Sequence, residues 1–128
     1  MPAERLGLSQ IGQIHISVKD VDCAAAFYKD MLGMKFLFKA PGMAFFDAGG
    51  VRLFLSKPEK PEFDHTSTIY YRVPDIAAAH AELQKRGVKF TDKPHIVHQD
   101  SRHELWLAGF KDTEDNFVCL MSEVPKKA

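Results

Sequence analysis

The chain has 128 residues, 45% hydrophobic and 27% charged, with 17 basic and 17 acidic side chains and a formal net charge of zero. That is enough chain for one domain with a real core and no disulfide or metal staple, and the balanced charge argues against nucleic acid or an anionic membrane surface as a partner. No apolar run approaches the roughly 20 residues that span a bilayer, residues 1–6 hold no signal-peptide apolar core, and Cys23 and Cys119, without zinc or redox spacing, are expected as reduced thiols in a cytoplasmic protein.

Residues 1–10 read as a lead-in. Residues 11–18 alternate as a strand, with Ile14, Ile16 and Val18 on one face and Gln13, His15 and Ser17 on the other. Asp20 is placed to cap a helix whose apolar positions Val21, Ala24, Ala25, Tyr28, Met31 and Leu32 follow the 3.6-residue spacing. Gly33 is placed to end it in the left-handed conformation. Strands are expected at 34–39, 43–48 and 51–56, separated by turns at Pro41-Gly42 and Gly49-Gly50. Residues 57–67 form a charged, proline-bearing connector.

The order then recurs. A strand is expected at 68–73, a helix capped by Asp75 runs through Ile76, Ala79, His80 and Leu83 to Gly87, and 88–90 opens the next strand. A longer hairpin follows, 96–98 with 104–110, closed around 99–102, and a polar turn at 112–116 leads into a last apolar strand. Three segments match between the halves: 15–20 with 70–75, 33–36 with 87–90, and 51–56 with 117–122. The offset is 55 residues at the first match, 54 at the second and 66 at the third, so the second copy carries about 12 extra residues in its hairpin. The expected fold class is α+β: two βαβββ modules, 11–56 and 68–123, joined by the linker 57–67 into a single domain over 1–128. Each module leaves one face of its curved sheet open, and pairing the two creates a cavity between them. The alternative is a ferredoxin-like domain with accidental internal similarity.

The sequence resembles the vicinal oxygen chelate superfamily, which includes glyoxalase I, bleomycin resistance proteins and extradiol dioxygenases. The resemblance rests on Val18-Lys19-Asp20, Ala26-Phe27-Tyr28 with Leu32-Gly33, Phe46-Asp47 before Gly49-Gly50, Tyr71-Arg72-Val73-Pro74-Asp75, 83–87 and Phe110-Lys111-Asp112. The last motif departs from the family form: Thr113 stands for a proline and Asp115 for a glycine, and Asp tolerates the left-handed turn better than most residues.

The resemblance implies a divalent metal held by residues of the first and last strands of each module. Carried over position by position, these fall on His15 and Tyr70, and on Leu53 and Cys119. Of these only His15 is a standard ligand, and an open catalytic site needs about three. The inherited site is expected to be incomplete; a divalent metal is an alternative that is not favoured. His15 otherwise reads as a polar, cavity-lining residue and Cys119 as a small buried hydrophobe.

The inserted hairpin concentrates His95, His98, His103 and Glu104, the side chains of metal binding or acid–base chemistry. With a loop at 99–102, His98 faces His103 and Val97 faces Glu104. His95, Val97, Glu104 and Trp106 then share one face, and a loop one residue different rearranges the set. Glu104 and His15 are the catalytic candidates, with Tyr70, Trp106, Cys119, His95 and His103 as ligand-binding candidates. Most phenylalanines read as core, some with Met43 and Met121 lining the cavity; Arg52 and Arg72 read as solvated edges, or as anion binders if inward. The expected function is binding of a small organic molecule, or metal-independent catalysis, in a homodimer. The alternative is a metal-dependent lyase, isomerase or dioxygenase acting on vicinal oxygens.

Overall fold

The computed structural model describes residues 8–58 and 66–126. Most of the expected connector and lead-in lies outside these residues. Eight strands and two helices follow in the order β1 (Gln13–Ser17), α1 (Val21–Ala26), β2 (Lys35–Ala40), β3 (Met43–Ala48), β4 (Val51–Ser56), β5 (Ile69–Arg72), α2 (Ile76–Lys85), β6 (His95–Gln99), β7 (His103–Lys111) and β8 (Phe117–Pro125). They form two four-stranded mixed sheets of identical topology, β1-β4-β3-β2 and β5-β8-β7-β6, in which the first and last strands of each half run parallel. This is the expected α+β class.

Both helices start as the capping residues dictate. Asp20 accepts from the Cys23 amide at 3.0 Å and Asp75 from the Ala78 amide at 3.1 Å. α1 widens after one turn and a half into a π-helical stretch, Phe27–Met31, closed by Leu32 N–H donating to the Phe27 carbonyl. Phe27 is buried beside Tyr28, at the third position after Ala24, which helical spacing puts on the same face. The expected strand at 88–90 reduces to one bridge, Phe90 with Phe110, because Thr91 and Asp92 instead bind the Gly109 backbone.

One buried cluster contains residues of both halves: Ile16, Tyr28, Phe46 and Leu55 from the first, and Ile76, Phe110, Val118 and Leu120 from the second. Phe27 of α1 lies 6.3 Å, ring to ring, from Phe110 of β7. The polar turn after β7 clamps this contact. Asp112, 5% exposed, accepts four hydrogen bonds: Tyr28 Oη at 2.8 Å, the Glu114 and Asn116 amides at 2.8 and 2.9 Å, and Asn116 Nδ2 at 3.0 Å. Asn116 Nδ2 also donates to the Ser17 carbonyl, and Glu114 accepts from the Asp20 amide. Asp115 adopts φ +63°, the left-handed conformation expected where the family form has glycine.

Candidate functional site

Strand pairing assigns every side chain to a face, because directly paired residues point the same way. In the first sheet Ile14, Ile16, Leu53, Leu55, Ala44 and Phe46 turn to the buried core. The opposite, open face carries a transverse row of paired residues: Phe38 on β2, just past a bulge at Leu37, Phe45 on β3, Phe54 on β4 and His15 on β1. In the second sheet the open face carries Tyr70 and Arg72 on β5, Phe117, Cys119, Met121 and Glu123 on β8, and Leu105, Leu107 and Gly109 on β7.

These pairings correct one residue of the internal alignment. His15 pairs with Phe54, and Tyr70 pairs with Cys119. Phe54, not Leu53, is therefore the counterpart of Cys119, and Leu53 is core, 1% exposed. Segment similarity had aligned Ser56 with Ser122, but the backbone equates Ser56 with Met121: Val18 N–H donates to the Ser56 carbonyl and Val73 N–H to that of Met121. A one-residue slip in a strand moves each side chain to the other face.

The hairpin expectation is also corrected. Gln99 pairs with Glu104 and His98 with Leu105; then Val97 bulges, and Ile96 pairs with Trp106 and His95 with Leu107. His98 does not face His103, and His95 does not share a face with Glu104 and Trp106. The cause is the tip. Asp100 accepts from the Arg102 and His103 amides, both at 2.8 Å, and its own N–H donates to the His103 carbonyl. This shifts the loop by one residue, and the bulge absorbs the difference.

The candidate residues thus divide between faces. His15, Tyr70, Cys119, His95 and His103 lie on open faces. Glu104 and Trp106 lie on the face that continues into Ala108 and Phe110, and Trp106 packs against the core. Trp106 Nε1 donates to Glu104 at 3.1 Å, so that carboxylate steadies the indole. The structure does not bring Glu104 and His15 together. His15 lies against Phe54 with the rings 4.8 Å apart and tilted by 43°, and its Nε2 bonds Ser56 Oγ at 2.8 Å. His95 Nδ1 lies 2.7 Å from the Lys93 carbonyl. Burial pushes the Cys119 thiol pKa up, with the Asp92 carboxylate adding to it. Tyr70 is exposed, at 52%, and Phe117 lies across Gly109, where a Cβ would overlap its ring.

Among the described residues no three His, Cys, Asp or Glu side chains are grouped to hold a metal ion. The donor chemistry explains this. Phe54 has no donor atom and Tyr70 is a phenol, which leaves His15 and Cys119 where an open site needs three ligands, so the position set does not fit the metal that the resemblance implies. A cavity of about 340 Å³ lies against Arg72, His103 and Glu123 of the open face, and two others lie at the seam between the halves. One of about 280 Å³ is lined by Leu32, Met34, Tyr71, Leu83, Phe110 and Leu120 among others. A second, of about 460 Å³, opens between Ile14, Leu53 and Tyr70. The sequence reading missed the Phe38–Phe45–Phe54 row. The alternation of β4 carried the signal: once Leu53 and Leu55 are core, Phe54 must be open.

Comparison with known proteins agrees with this architecture. The family model described as the Glyoxalase/Bleomycin resistance protein/Dioxygenase superfamily matches residues 10–120. The chain is 26% identical over 121 residues to the uncharacterized protein YraH of Bacillus subtilis (strain 168), covering 83% of this chain and 92% of that one. Among solved structures, it resembles TnmS3, an antibiotic binding protein from Streptomyces sp. CB03234, at 24% identity and TM-score 0.75, covering 95% of this chain and 100% of that one. It also resembles lactoylglutathione lyase from Agrobacterium tumefaciens, at 19% identity and TM-score 0.72, covering 91% and 95%. At such identities the structural likeness carries the fold alone, but the family match spans most of the sequence: the chain belongs to the glyoxalase/bleomycin resistance protein/dioxygenase superfamily.

Proposed function

We propose that the chain is a small-molecule-binding protein whose binding surface is the open face of its sheets, working as a cytoplasmic homodimer without the family's metal. One observation carries the reading: the position that pairs with His15 is Phe54, an aromatic side chain where a metal site requires a donor. The surface built there centres on aromatic and apolar side chains, with His15 and Tyr70 among them and the charged Lys35, Asp47, Arg52, Arg72 and Glu123 on the same faces. Ligand sites combine such lining with a small number of placed polar atoms. Exposed Phe38, Tyr70 and Phe117 give each open face a large apolar area, and a second copy covering these faces would enclose the ligand. The antibiotic-binding neighbour TnmS3 supports the reading by analogy of fold.

The test joins three measurements on chain purified without chelator or histidine tag: elemental analysis, light scattering, and a thermal-shift screen of small organic molecules. The expected outcome is a dimer, substoichiometric metal, and saturable stabilisation by at least one compound. A ligand at a hundred times its Kd stabilises by about 2.7 kcal/mol, a shift of several degrees. Stoichiometric metal that disappears in His15→Ala would overturn the reading in favour of metal-dependent chemistry.

A further inference from the structure

We infer that the Phe38–Phe45–Phe54–His15 row is a stacking surface for a flat aromatic acid. The inference rests on the reading of the open faces as the binding surface and names the class of ligand. The four rings come from four adjacent strands at one level of the sheet. Strand spacing of about 4.8 Å sets neighbouring rings near stacking distance. Phe38 and Phe45 are 4.4 Å apart and inclined by 19°; Phe45 and Phe54 are 5.3 Å apart and inclined by 14°. Core phenylalanines in the same sheet behave differently: Phe36 and Phe46, on the buried face, meet edge to face at 75°. Parallel rings expose their faces at the ends of the stack. β2 is the outermost strand of its sheet, and Phe38 upon it remains 45% exposed. A planar aromatic ligand continues the stack from Phe38 at the same spacing.

The charge comes from the neighbouring row. Lys35, Asp47 and Arg52 are cross-strand partners on the same face, two cations and one anion. Arg52 lies with its guanidinium carbon 5.8 Å from the centre of the Phe45 ring. Neither Lys35 nor Arg52 has a salt-bridge partner among the described residues. His15 is the polar end of the aromatic row, with Nε2 engaged by Ser56. A net positive row beside an aromatic row favours a ring carrying a carboxylate, with Arg52 or Lys35 as its counter-ion.

The experiment uses three probes of one shape on the full chain: 2-naphthoate, 2-naphthamide and the saturated decahydro-2-naphthoate, titrated calorimetrically and followed by ring shifts in ¹³C-phenylalanine spectra. Expected are naphthoate binding about tenfold tighter than its saturated analogue and shifts concentrated on Phe38 and Phe45. Phe38→Leu should then lose about tenfold for naphthoate. Arg52→Gln, at an exposed side chain that does not hold the fold, should weaken naphthoate and leave naphthamide unchanged. Equal affinity for the flat and saturated acids, or unaltered naphthoate binding in Phe38→Leu, would overturn the aromatic class. Shifts at Phe117, on the open face of the second sheet, would then still report binding on the open faces, keeping the broader reading separate. No probe binding, with dimer dissociation in Phe38→Arg, would overturn it by making the row a subunit contact. No probe binding with the dimer intact would overturn it as well.

Discussion

Two tyrosines with buried hydroxyls, Tyr28 within the core and Tyr71 partly buried against it, predict opposite mutational outcomes. The Tyr28 hydroxyl donates to Asp112 at 2.8 Å across the two halves. Removing it in Tyr28→Phe leaves a buried carboxylate short of a donor and should cost about 2 kcal/mol, read from urea unfolding. The Tyr71 hydroxyl is buried without a hydrogen-bond partner. Tyr71→Phe removes only an unsatisfied polar atom, so at neutral pH it should be neutral or stabilising by about 1 kcal/mol. Alkali separates them further. Burial, reinforced by the negative charge of Asp112, pushes the Tyr71 pKa up to about 12, and burial with Asp112 raises that of Tyr28 as well. A raised folded pKa means stability that is complete below the unfolded value near 10 and lost as pH rises from there towards the folded value. The wild-type unfolding midpoint should fall between pH 9 and pH 11.5, and Tyr71→Phe should fall less. An equal fall in the two proteins would show that the fold does not raise the Tyr71 pKa above its unfolded value.

At the scale of elements, the polar turns decide register. Asp115 sits at φ +63°, which costs a side-chain-bearing residue and not glycine. Asp115→Gly should stabilise by up to about 1 kcal/mol and Asp115→Val should destabilise, both measured by thermal unfolding. Asp100 at the hairpin tip behaves differently, because its carboxylate is the turn. The Arg102 and His103 backbone amides hold its pKa below the ordinary aspartate range. Its contribution is therefore present above the unfolded value and lost as pH falls through the lowered one. Protection of the His103 amide, relative to its intrinsic exchange rate at the same pH, should be lost in Asp100→Ala at neutral pH and in wild type only in strong acid. These turns also explain what was legible in advance. β3 and β4 occupy the expected 43–48 and 51–56, because Gly42, Gly49 and Gly50 mark their ends with positive φ. The β6–β7 register was not legible. A four-residue loop can begin at 99 or at 100, and only the Asp100 hydrogen bonds and the Val97 bulge choose between them.

At the scale of the whole molecule, the repeat made the architecture legible, while the site depended on a phase that the repeat did not fix. Two halves of like order implied two like sheets, and those are present. Similarity between segments left one residue of freedom between Leu53 and Phe54, and in a strand that freedom decides whether core or open face is described. The same comparison gives no hint of how tightly the halves join. The structure supplies it: Phe27 against Phe110, Tyr28 on Asp112, Asn116 on the Ser17 carbonyl, and one buried cluster containing both. A half deprived of its neighbour would expose Phe110 or Tyr28 and leave Asp112 without its tyrosine donor. At about 25 cal/mol per Å² for apolar area, exposing a few such side chains costs several kcal/mol, a large part of the stability of a chain this size. The halves should therefore unfold together. Trp106 fluorescence reports the second half and a fluorine label on Phe46 reports the first. Their urea midpoints and slopes should coincide. Two separated midpoints would mean that the halves are independent units, and that the Asp112 clamp joins them without making them one cooperative fold.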